Sequence, residues 1–170
     1  RDAGALAAVV NHTGSVSVAG VYHHHLPLAQ AGNASSQQIV AELEAIFGGS
    51  PAQSPFAYQR SSVIDLDANG ALIGGGRHMA RNLVDVPIRT YYATSDPQQH
   101  LIGQSNELEG YMQWLTSQLG VTNRHELLPV QANCPTASDH CWGTVDEFEV
   151  CEWLAGKTLS LDSTNGRFLV

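Results

Sequence analysis

One stretch of this chain constrains the fold more than any other: Val86-Pro-Ile-Arg-Thr-Tyr-Tyr-Ala-Thr94, an apolar and aromatic run that stops abruptly at Ser95-Asp96-Pro97. Its composition is that of a buried strand, and the stop leaves an acid at the strand's carboxyl end. Leu108, Tyr111, Met112, Leu115 and Leu119 then share one face of a helix over 105–119, which Gly120 ends. A second short apolar strand, Glu126 to Val130, leads on to Ser138-Asp139-His140-Cys141-Trp142. In open α/β sheets, strand ends deliver side chains from separate loops to one crevice, so this order makes Asp96 and His140 a candidate pair.

The remainder of the chain is read around that pair. Residues 5–10 are apolar without a clear period and suit either the end of a helix or a buried strand. Gly14 to Tyr22 alternates small or polar residues with valine and predicts a strand, after which His23-His24-His25 leads to a stop at Leu26-Pro27. Ile39, Val40, Leu43, Ile46 and Phe47 predict a helix over 36–47 that ends at Gly48-Gly49. Ser50 to Pro55 is expected as a loop. Val63 to Asp67 and Ala71 to Ile73 flank Ala68-Asn69-Gly70 as a hairpin, because Asn-Gly readily takes the positive φ angles of tight turns. Gly74-Gly75-Gly76 is a flexible joint without the pattern of a phosphate loop. Thr144-Val-Asp-Glu147 predicts a capping box for a helix reaching about Leu154 and burying Val145, Phe148 and Cys151 or Trp153. Segments 159–162 and 167–170 around Thr164-Asn165-Gly166 predict a second hairpin. Tyr91, Tyr92, Trp114, Trp142 and Trp153 fall mostly at core spacings of strands and helices. The expected class is α/β, a partial sheet flanked by helices with β-hairpin insertions, in segments 1–85, 86–157 and 158–170.

Composition narrows the partners. A 170-residue chain that is 43% hydrophobic suits one domain with a real core. Its 16 acidic against 8 basic residues give a charge of -8, which repels polyanions and argues against nucleic acid and anionic membrane surfaces. No apolar run approaches the roughly 18 residues of a membrane span. Charged residues are scarce and neutral polar ones abundant, which points to a secreted or periplasmic protein. In an oxidising compartment the simplest disulfide joins Cys134 to Cys141 and pins the His140 loop, leaving Cys151 as a buried thiol, as the true partner of one of the two, or as a bond to another segment. These spacings are not those of a zinc ribbon. Asn11-His-Thr13 and Asn33-Ala-Ser35 match the glycosylation acceptor pattern. The chain opens on Arg1 without a leader pattern, the expectation being a processed product or a piece of a longer enzyme.

From Val86 onward, the order strand, acid, helix, strand, histidine, helix resembles the C-terminal third of an α/β-hydrolase domain, as in esterases, lipases, extracellular polyhydroxyalkanoate depolymerases and prolyl-oligopeptidase-like enzymes. The likeness covers about seventy of the 170 residues, and rests on element order and on Val86-Pro87 through Thr94-Ser95-Asp96-Pro97, a phrase similar to the one that carries the acid in that family. It implies that Asp96 orients the imidazole and that His140 serves as general base, then general acid. It also implies a small-molecule or polymeric ester as substrate, or a peptide, with no cofactor. The family's G-x-S-x-G elbow has no match in the chain. Its nearest relaxed form is Ser15-Val-Ser17-Val-Ala19, which makes Ser17 the candidate nucleophile within the chain. The other expectation is a nucleophile supplied by a further segment of the same enzyme, with residues 1–85 as a lid or cap.

Other readings stay open. Asp96 before proline is also a plain turn former, and His140 a plain loop histidine. Asp139 suits a cap or turn, and the acid role could fall to Asp85 or Asp65. Trp142 is placed to line a pocket mouth. His23, His24 and His25 suggest a metal, but neighbours on a strand point to opposite faces, so a third ligand such as His12 or His78 would have to come from afar; no metal is expected. Besides a serine hydrolase, the residues suit a non-catalytic binding module or degenerate hydrolase relative, and third a metal-dependent hydrolase.

Overall fold

Parallel strands cannot be joined by tight turns, so a sheet built around the 86–94 run needs helical crossovers. The chain follows that rule. The computed structural model describes residues 8–12, 15–73, 78–84, 86–93, 99–130, 145–157, 160–162 and 167–169. Among them β1 (Val9–His12), β2 (Ile88–Ala93) and β3 (His125–Val130) form one parallel sheet in the order β1-β2-β3. Val9 pairs with Ile88, Ile88 with His125 and Ala93 with Val130. Helices α1 (Val18–Gln30), α2 (Ala34–Phe47) and α3 (Pro55–Ser61) lie between β1 and β2 in sequence; α4 (Gln99–Leu119) lies between β2 and β3. Helix α5 (Glu147–Ala155) follows β3, and β4 (Ser160–Asp162) pairs antiparallel with β5 (Arg167–Leu169) as the expected second hairpin. Mixed helices with a small parallel sheet place the chain in the α/β class.

Contacts group the residues into two compact units: Arg1–Gly14, Asn82–Gln98 and Glu109–Val170, which holds the sheet, and Ser15–Arg81 with Gln99–Leu108, which holds α1 to α3. In the sheet unit Ile88, Thr90 and Tyr91 are buried on β2, and Tyr111, Met112, Leu115 and Thr116 on α4 at helical spacing. In the helical unit Ala19, Tyr22 and Tyr58 form a cluster against which Val18, Leu26, Val40, Leu43 and Phe47 pack. The Tyr22 hydroxyl donates to Glu44 Oε1 at 2.6 Å, tying α1 to α2.

Several boundaries follow from local chemistry. Asn33 caps α2 by accepting from Ser36 N, and Gly48 ends the helix at φ 77°, a left-handed conformation that a side chain resists. Between Asp65 and Ile73 the expected hairpin forms, reduced to one bridge, Leu66 to Leu72. Asp67 Oδ1 accepts from Asn69 N and Ala71 N, and Gly70 takes φ 78°. Helix α4 starts at Gln99, earlier than its apolar stripe, and no described helix is long and apolar enough to cross a membrane.

The structure corrects several expectations. Gly14 to Tyr22 is not a strand: residues from Val18 on are helical. Val18, Tyr22 and Leu26 recur at a helical four-residue spacing, and the tyrosine buried against Tyr58 selects that period. Pro27 does not stop the element but lies inside α1, where Ala31 N still donates to Pro27 O at 3.0 Å, and the proline removes only the amide that His23 O would have used. Ser50 to Pro55 yields its last residue to α3, whose first position accepts proline because that amide has no helical partner. Helix α5 is capped by Asp146, which accepts from Phe148 N and Glu149 N, and it buries none of its residues: Phe148 is 84% exposed and Cys151 is exposed and unpaired. On α4 Trp114, expected at a core spacing, is likewise exposed, at 53%, and so is Leu119 from the expected apolar face.

Candidate functional site at the carboxyl edge of the sheet

The register sets the site. Ala93 and Val130 are partners at the carboxyl ends of adjacent parallel strands. Asp96 stands three residues beyond Ala93, and His140 lies on the connection beyond Val130. Asp96, Asp139, His140, Trp142, Cys134, Cys141 and Asp85 all lie outside the described residues. The carboxyl edge is where parallel sheets assemble chemistry from several loops.

Ser17 is described, and its surroundings are those of a cap. It follows β1 and precedes α1, the order of an elbow, but its backbone is ordinary extended chain at φ -138°, ψ 113°. An elbow nucleophile sits on a sharp, strained turn with its oxygen exposed. Ser17 is fully buried, and its Oγ accepts from Gly20 N at 3.1 Å. Ser62 Oγ accepts from Val18 N at 2.9 Å and donates to Tyr58 O, so two hydroxyls serve the first amides of α1. Val16 O accepts from Val63 N and Ile64 N, stitching the same corner. Replacing Ser17 by alanine is expected to cost about 1 kcal/mol of stability, seen as a lowered urea midpoint. Catalysis lost without a midpoint shift would return the nucleophile role to Ser17.

Among the described residues, the histidines of α1 belong to no group of three placed to hold a metal ion. Successive residues on a helix are rotated away from one another, as they would have been on a strand. Burial lowers the pKa of His23, His24 and His25, and His25 Nδ1 lies 3.1 Å from Ser36 Oγ. His78 is buried, and its Nδ1 accepts from Asp65 N at 3.0 Å. No three His, Cys, Asp or Glu among the described residues are placed to hold an ion.

Two clusters in the sheet unit escaped the sequence reading. Arg89, the second residue of β2, bonds through Nε to Glu126 Oε2 at 2.8 Å and through a terminal nitrogen to Glu149 Oε1 at 2.9 Å. Its guanidinium sits 4.8 Å from the centre of the Trp153 ring, which Lys157 also approaches to 4.8 Å. A charged residue inside an otherwise apolar strand was the available signal. At the amino end of β3, His125 is buried with Nε2 3.1 Å from Thr90 Oγ1, and its Nδ1 has no partner among the described residues. Burial pushes its pKa down from 6.5 to about 4. Comparison with family models, curated proteins and solved structures yields no match to this chain. The functional reading therefore rests on topology and residue chemistry.

Proposed function

We propose that this chain carries the acid and the histidine of an α/β-hydrolase-type serine hydrolase acting on ester or peptide bonds, with Asp96 as the acid and His140 as general base and acid. The observation that carries the reading is the pairing of Ala93 with Val130 at the carboxyl ends of neighbouring parallel strands. Three residues of chain span at most about 10 Å, which is the reach that separates Asp96 from Ala93. A carboxylate on one ring nitrogen fixes the tautomer and stabilises the imidazolium, while the other nitrogen takes the proton of the nucleophile. The capping geometry of Ser17 supports a nucleophile supplied by a further segment of the same enzyme. A small-molecule or polymeric ester fits as substrate, Trp142 is proposed at the pocket mouth, and a Cys134–Cys141 disulfide would steady the His140 connection in a secreted or periplasmic protein.

The same geometry of Ser17 favours one second reading, a non-catalytic relative that keeps the sheet as a binding module. Fluorophosphonate labelling of the full-length protein separates the two. The hydrolase reading predicts one serine adduct, blocked by a p-nitrophenyl ester substrate, whereas a protein that takes no label and hydrolyses no ester is the binding module.

A further inference from the structure

The hairpin between Asp65 and Ile73 is reduced to a single bridge, and a two-stranded hairpin is marginal in water without further support. Its tip is held from within, by the Asp67 carboxylate and by Asp67 N, which donates to Ala71 O at 2.9 Å. Its root is held by Val16 O, which accepts from Val63 N and Ile64 N. At the open end Ile73 N donates to Asp65 O at 3.0 Å, while Asp65 N turns to a side chain and donates to Nδ1 of His78 at 3.0 Å. His78 is buried, and Ala80 N brings its segment to this corner by donating to Val63 O at 2.9 Å. The ring also bonds to the Ile73 backbone, so one imidazole grips both arms of the hairpin. A ring nitrogen that accepts carries no proton, and the grip on Asp65 therefore requires the neutral ring.

We infer that His78 is an acid-released clasp: it closes the open end of the 65–73 hairpin while its ring is neutral and lets that end part when the ring takes a proton, with the helices of the same unit still folded. Protonation places a hydrogen on Nδ1, where it meets the hydrogen of Asp65 N, and the acceptor is lost. Burial favours the neutral ring and lowers its pKa below the ordinary 6.5, opposed by the bond to Ile73 and by the Asp65 carboxylate. The clasp is therefore complete above pH 6.5 and is lost as pH falls through the lowered folded value. Among the described residues, the other charged or titratable groups at this corner are His23 of α1, which faces Asp67 and Asp65, and Arg81 on the turn Met79–Leu83 that follows His78. A protonated His23 is drawn to the same two carboxylates, which keeps α1 against the hairpin and confines the opening to the Asp65–Ile73 end.

The test follows amide hydrogen exchange of the full-length protein from pH 7 to pH 4, expressed as protection factors so that the intrinsic pH dependence of exchange is removed. Wild type is compared with His78→Asn, whose side-chain oxygen can take the place of Nδ1 and accept from Asp65 N without titrating. Over this range the Asp65 amide is expected to lose at least about tenfold more protection in wild type than in His78→Asn, because the opening is linked to one proton. Amides of α2, in the same unit, are expected to follow the same profile in both proteins within about twofold. In wild type, NMR shifts of the His78 ring nitrogens are expected to report protonation with the same midpoint as the loss at Asp65. Identical Asp65 profiles in the two proteins would overturn the inference, and so would a difference between them that is equally large in α2, which marks global unfolding. Ring protonation at a midpoint separate from the loss at Asp65 would overturn it too, and this comparison uses wild type alone, so it stands even where the variant does not fold.

Discussion

Under the proposed hydrolase function, replacing His140 by glutamine in the full-length protein is expected to lower kcat for ester hydrolysis by about 10⁴-fold or more, and Asp96→Asn by about 10⁴-fold, with KM nearly unchanged in both. The loss is expected on kcat because, in the proposed mechanism, the imidazole would act only as the nucleophile's proton moves, and the carboxylate only as the imidazolium forms. Steady-state kinetics on a p-nitrophenyl ester reads both effects. Asp85 and Asp65 provide the comparison: Asp65 is buried in the helical unit, with its amide committed to His78. Its replacement by asparagine leaves the rate within about twofold, whereas a loss as large as that of Asp96→Asn would move the acid role to Asp65.

Acidification between pH 6.5 and pH 4 is expected to remove on the order of 3 kcal/mol of folding stability through His125 alone. The sign follows from the direction of the shift. Its folded pKa lies below the unfolded value, so within that window the unfolded chain binds the extra proton and the folded chain does not. The contribution is complete above pH 6.5 and is lost as pH falls towards 4. The structural cause is plain: protonation would put charge into a buried ring and require N–H donors on both nitrogens, while Nδ1 meets no acceptor among the described residues. His23, His24, His25 and His78 shift in the same direction through burial and add to the slope. Urea midpoints of wild type and His125→Phe measured across pH 4 to 7 test this, with the variant expected to show the shallower dependence. Parallel curves would remove His125 from the account.

The parts of this fold that were legible from residues are those with a single compatible period and an unambiguous stop. Strands β2 and β3 are short runs suited to burial, and α2 ends on Gly48, whose positive φ few other residues tolerate. Helix α1 was not legible, because Val16 and Val18 with small or polar neighbours suit a period of two while Val18, Tyr22 and Leu26 satisfy a period of four. The choice between them was made by Tyr58, thirty-six residues beyond Tyr22. At α5 two caps competed: Thr144 opened a complete capping box, but Asp146 takes the amides of Phe148 and Glu149. The exposure of Phe148 shows that an apolar stripe on a short helix need not face a core. Asp96 and His140 could be named as candidates because they follow strands. Arg89 and Glu126 could not be paired without the register that sets them opposite one another.

The central claim is that Asp96 and His140 work as one unit, and a double-variant cycle measures that directly. Groups that act together are strongly non-additive, since the acid has nothing left to orient once the imidazole is gone. In the full-length protein the double variant Asp96→Asn/His140→Gln is predicted to hydrolyse esters within about threefold of the rate of His140→Gln alone. Losses that multiply, leaving the double variant slower by the product of the two single effects, would contradict the account.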